Sequence, residues 1–269
     1  MSEGPFWQRL FAPGGFEWAF KMRKGDAAQF FAPQDLSGAL LGQRKERLDA
    51  HPDRYTGVTE LGQPLVEQAW DLALDLGQVG AVPAAERDLL SLSRQWEADL
   101  LMMERETMTV AAGAVCFPSS WELGHAIGKT LDQVHGVVPR LNPQIGVMIQ
   151  RFLEKITPGK SFCRENWSFT RTDDLDYHPA VGRPRLDHTL TLDEVFLRIE
   201  HQLFTGIPGG VLMGIRIKTF PLREMAADPE VWRITAEKLR TMPADVADYK
   251  SMTAGIPRIL EVMNEHQAV

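Results

Sequence analysis

Cysteine is scarce in this chain: two residues, Cys116 and Cys163, in a length of 269. Two thiols cannot hold an iron–sulfur cluster in the usual four-cysteine manner. Both lie in apolar, strand-like runs, so free buried thiols are expected rather than a disulfide. Long apolar runs are also missing. None approaches the roughly 20 residues needed to cross a bilayer, so no membrane partner is expected. Basic residues are outnumbered, 29 Lys and Arg against 36 Asp and Glu, which gives a net charge of −7. Such a balance argues against nucleic acid, whose phosphates need a local cationic surface. The densest basic cluster, residues 44–47, is interrupted by Glu46 and reads as a solvated helix face. The opening segment lacks a charged start followed by a continuous apolar core, so no signal peptide is expected. The cytoplasm is the expected compartment. No Gly-x-Gly-x-x-Gly follows a strand-like run, so a dinucleotide site is not expected either.

What is present is an ordinary globular composition, with enough apolar residues for a substantial core. Residues 1–33 carry Phe6, Trp7, Phe11, Phe16, Trp18, Phe20, Phe30 and Phe31 between Gly and Pro, which suggests an extended aromatic arm packed over the body. Helices are expected over 34–50, with Leu36, Leu40, Leu41 and Leu48 inward, over 61–76, and over 83–103. A buried strand is expected over 108–117. Ser119 stands three residues before Glu122, the spacing of a capping box. Leu123, Ile127, Leu131 and His135 then recur every four residues, which predicts one helix that presents an imidazole on its inner face at the last turn. Asn142-Pro143 reads as the start of another helix, through Ile145, Met148, Ile149, Phe152, Leu153 and Ile156. A strand over 161–170 follows. A polar loop over 173–193 then holds His178 and His188, without a ligating pattern.

Val195 to Phe204 alternates strictly and puts Arg198, Glu200 and Gln202 on one face and His201 on the other. Polar groups on a partly apolar strand face must meet one another, a ligand or water. Residues 211–220 form the matching strand of a hairpin, and Pro243 and Pro257 divide the short helices beyond residue 229. The order of elements is that of an α+β protein with a largely antiparallel sheet and flanking helices.

Several motifs resemble those of the α subunit of haem-dependent oxidative N-demethylases. They are Phe117-Pro118-Ser119-x-Trp121, Ile127-Gly128, Val134-His135-Gly-x-Val-Pro139, Arg164-x-Asn166-Trp167 and Leu197-Arg198-x-Glu200-His201-Gln202. Trp96-Glu97-Ala98-Asp99-Leu100 is similar to a Glu-Asp-Leu signature of the same family. The resemblance implies haem b in a PAS-like antiparallel sheet, with residues 1–105 as a helical cap, 106–225 as the core and 226–269 as terminal helices. It implies His135 as the proximal iron ligand. Arg164, Arg198 and Arg140 become candidate partners of the propionates, and Trp121, Met148, Phe152 and Ile215 candidate walls. The implied reaction is oxidation of a small secondary amine by O2 to a primary amine and formaldehyde. FMN, NADPH and an iron–sulfur centre would belong to a separate reductase. Glu200, and less strongly Glu165, would receive the ammonium, with Arg198 and His201 beside it. His201 stands where the family has Arg, and Val137 where it has Pro, so a second axial ligand at His201 stays open. A haem-based PAS-like sensor without turnover is the alternative.

Overall fold

The computed structural model describes residues 7–267; Phe6 of the aromatic arm lies outside them. Seven strands form one antiparallel sheet: β1 (Arg23–Lys24), β2 (Thr56–Val58), β3 (Asp99–Glu104), β4 (Val110–Ala114), β5 (Ser161–Thr170), β6 (Phe196–Ile207) and β7 (Gly210–Pro221). Their spatial order is β1-β5-β6-β7-β3-β4-β2. The helices, in chain order, are α1 (Trp7–Leu10), α2 (Ala27–Phe31), α3 (Ala39–Ala50), α4 (Pro52–Tyr55), α5 (Gln63–Asp75) and α6 (Leu89–Ser93). After them come α7 (Leu131–His135), α8 (Val147–Leu153), α9 (Leu222–Met225), α10 (Pro229–Thr241), α11 (Ala244–Tyr249) and α12 (Ile256–Gln267). The fold is α+β, an antiparallel sheet with flanking helices.

The β6–β7 hairpin is the spine of the sheet, paired without a register shift from Phe196↔Pro221 to Ile207↔Gly210. Alternation along these strands gives the sheet two differently covered faces. On one face Leu197, Ile199 and Phe169 meet the C-terminal helices through Trp232, Leu239 and Ile259. Farther along it Leu203, Leu212, Leu100 and Met102 meet α2 and α5. Gly214 lets this second contact close, because a Cβ there would stand 2.6 Å from the Phe30 ring and 2.9 Å from Phe31. On the opposite face Phe204, Val211 and Met103 pack under α7 and α8 through Leu131, Ile145, Ile149 and Leu153. The aromatic arm spans both faces: Trp7 packs on Phe220, Phe11 and Phe16 on Trp167, and Phe20 on Phe152.

Three expected elements differ. The expected helix over 83–103 is helical only in a 3-10 turn at Ala84–Glu86 and in α6, and residues 99–104 form the interior strand β3. That strand is buried on both faces, so the alternation that would have marked it is absent. The expected helix beginning at Ser119 is broken. Ser120 and Gly128 adopt φ of +67° and +79°, and Ser119 accepts from Arg198 instead of capping a helix. The true cap is Thr130, reciprocated by Gln133, so only the last turn, α7, carries His135. Asn142 caps nothing; its amide donates to Asp132, and residues 142–146 form a π turn before α8. Leu36 precedes α3 and is exposed. Strands β1, β2 and β3 come from residues 1–105, so that segment supplies sheet as well as helices.

Candidate functional site

The polar face of β5 and β6 is where chemistry-bearing residues converge. Cross-strand register sets Arg164 opposite Gln202 and Asn166 opposite Glu200, and alternation turns all four side chains to the α7 side of the sheet. Asn166 Nδ2 donates to Glu200 Oε2 at 3.2 Å, and Gln202 Nε2 donates to the same oxygen at 2.9 Å. Among the described residues none donates to Oε1. Glu200 is thus an oriented carboxylate with one oxygen unclaimed.

Arg164 lies beside it, with its Nε buried and without a hydrogen-bond partner among the described residues. Burial pushes the guanidinium below its ordinary range, and Glu200 and then Glu165 oppose the shift. An orphaned buried donor of this kind is costly, which makes it a place where an anion would be welcomed. His135 faces the same charge. Burial, and then Arg164, push its imidazole down to about 4, with Asp132 opposing. The ring is therefore neutral near pH 7, the form able to donate a lone pair to a metal. His135 also lines a hollow of about 220 Å³ with Thr107, Met108, Thr130, Leu131 and Asp132. A larger groove of about 510 Å³, between Phe20 and α8, does not include it.

The other expected site residues are placed elsewhere. Arg198 shares the sheet face of Glu200 but is held by loops: it donates to the carbonyls of Phe117, Pro118, Asp174 and Leu175 and to Ser119 Oγ, over the Tyr177 ring. It pins two loops, with all three of its nitrogens engaged by them. Arg140 is exposed and paired with Asp245 at 2.8 Å. His201 points to the opposite face, 3.9 Å from Glu165 and edge-on to Phe30. It is thereby separated from Glu200 by the sheet, and Glu165, paired with Arg23, goes with it. Trp121 is half-buried at the margin of the core under α7 and α8. Ile215 is buried, Phe152 packs on Phe20 and Phe162, and Met148 is half-exposed. In the polar loop, buried His178 accepts from Ala180 N through Nδ1 and His188 is exposed. No group of three or more His, Cys, Asp or Glu that could hold a metal ion occurs among the described residues. Cys116 and Cys163 are buried and not joined by a disulfide.

Lys250, at the end of α11, carried no sequence signal. Its ammonium donates to Asn166 Oδ1 at 3.2 Å and Trp167 O at 2.7 Å, over the rings of Trp18 and Trp167. Asn166 and Gln202 were visible, the first inside the Arg-x-Asn-Trp motif and the second in the alternating strand, but their role needed the register.

The family model described as haem-dependent oxidative N-demethylase, alpha subunit-like, matches residues 43–259. The chain belongs to this family. The match takes in α7, β5, the hairpin and Lys250, the whole cluster just described. A haem calls for an axial donor, cationic partners for its propionates and apolar walls. His135 and Arg164 are a donor and a cation of those kinds, in residue type those that the group named by the family calls for. No helix among the described residues is long and apolar enough to cross a membrane.

Proposed function

We propose that this chain is the haem-carrying subunit of an oxidase that demethylates a small secondary amine, working in the cytoplasm with electrons from a separate reductase. In this reading the polar β5–β6 face and α7 bound a PAS-like haem pocket. The observation that carries it is the convergence of a neutral imidazole, a guanidinium with a buried, unpartnered Nε and a half-claimed carboxylate on one side of the sheet. His135 would be the axial ligand and Arg164 would meet a propionate. Bound haem b would supply activation of O2 for attack on an N-methyl group.

The protein's own part is charge and orientation. Two carboxamides donating to Glu200 Oε2 fix the orientation of the carboxylate. Oε1 then accepts an N–H of the alkylammonium and holds its methyl group in one direction. An amine must lose that proton before its nitrogen can release electrons, and Glu200 is the acceptor in reach.

An absorption spectrum of the purified protein, with and without dimethylamine, tests this reading. A Soret band that shifts on adding amine is expected. His135→Ala should lose the band, whereas Glu200→Gln should keep the band and lose the shift. Colourless protein that takes up no haem would overturn the proposal, and a band indifferent to amines would leave a sensor in its place.

A further inference from the structure

Lys250 is a half-buried cation with no ion-pair partner among the described residues and an unusual set of contacts. Its donors go to a side-chain amide oxygen, Asn166 Oδ1, and to the edge carbonyl of Trp167. Two indoles flank it at 5.2 and 5.6 Å. An ammonium only donates. It therefore fixes the orientation of the Asn166 amide, with oxygen toward Nζ and nitrogen toward Glu200. Were that amide free to turn over, its oxygen would face Oε2 and repel it.

We propose that Lys250 is a positioning residue that acts through Asn166 to keep the Glu200 carboxylate turned toward the amine. The inference rests on the reading of Glu200 as the amine acceptor. The same lysine reaches the other side of the site. Trp18, whose ring lies against Nζ, donates through Nε1 to Pro139 O at 2.9 Å, four residues beyond His135. One cation thus ties the aromatic arm, α11, the β5 edge and the segment after α7 into one frame. The charged groups facing Glu200 are Arg164, Arg198 and Lys250, with the phenol of Tyr249 beside them. Burial pushes Lys250 down to about 8, Glu200 opposing and Arg164 adding to the shift. It still carries its charge at pH 7, as the relay requires.

The test is a double-mutant cycle on the haem-loaded protein, with dimethylamine affinity read from the Soret shift and from calorimetry. K250M and N166L should each weaken binding about tenfold, the size of one charge-assisted hydrogen bond. The K250M/N166L double variant should be no worse than either, because both break one relay. K250R, which can still donate to both oxygens, should restore most of the affinity. Wild-type binding by K250M, or additive losses in the double variant, would overturn the proposal. Should K250M fail to fold, N166D decides: it replaces the donor with an acceptor and must bind amine less well than N166L, and equal or better binding overturns the relay. If E200Q itself binds dimethylamine normally, it is the reading of Glu200 that fails; if E200Q loses binding and K250M does not, only the relay fails.

Discussion

Arg164 and Arg198 are two arginines on one face of the same sheet, and they are held in opposite ways. Arg198, on β6, donates to four loop carbonyls and a serine hydroxyl. Arg164, on β5, keeps a buried Nε that nothing among the described residues accepts. Burial lowers both guanidinium groups from their usual range, so the difference lies in the partners. A buried cation bonded through all three of its nitrogens holds a fold together. One with a donor unused costs stability and marks a place prepared for something else.

Substitutions at these two positions can break or sharpen that contrast. The largest effect is expected for Arg198→Met. It would strand the carbonyls of the 117–119 and 174–175 loops and cost about 3–5 kcal/mol of stability, in the range of a broken buried network. Arg164→Met should leave stability unchanged or raise it by about 1 kcal/mol, because it removes an unmet donor, while haem retention falls. Denaturant titration of the two variants reads both, and equal losses would end the contrast.

Next in size is a pH effect. The imidazole of His201 is pushed down to about 4 by burial, with Glu165 opposing. Its ordinary value is about 6.5, so between these limits the unfolded chain binds the proton more readily. Stability is therefore complete above pH 6.5 and falls as pH drops toward 4. The loss is up to about 3 kcal/mol, discounted for the part of the side chain that water still reaches. His201→Phe should make that slope shallower in melts recorded between pH 4 and 7, leaving the share of His135, which burial pushes down likewise. The smallest effect belongs to Arg140→Ala: its exposed pair with Asp245 is worth less than about 1 kcal/mol, and neither haem retention nor amine response should change.

The hairpin and β5 were legible because one covered face and one polar face leave a period of two in the residues. The same alternation separated His201 from Glu200 before any coordinates. It could not say that Arg198 would be consumed by loops from residues 117–119 and 174–175, since those acceptors are backbone atoms and carry no residue identity. The strand β3 was read as helix because Leu100, Leu101, Met102 and Met103 are apolar on both faces. The helix before His135 was overextended for a local reason: four-residue spacing survives across Gly128, although the backbone there turns left-handed. His135 still ends a helical turn, capped by Thr130 rather than Ser119.

Residue order alone settled which elements alternate, which imidazole ends a helix and which family the motifs resemble, because period and spacing are local properties of the chain. Tertiary structure alone decided which arginine keeps a free donor and which oxygen of Glu200 stays open. It also brought Lys250, 84 positions from Asn166, to complete the cluster. Those outcomes depend on strand register and on loops arriving from far away in sequence, and distant contacts leave no period to read.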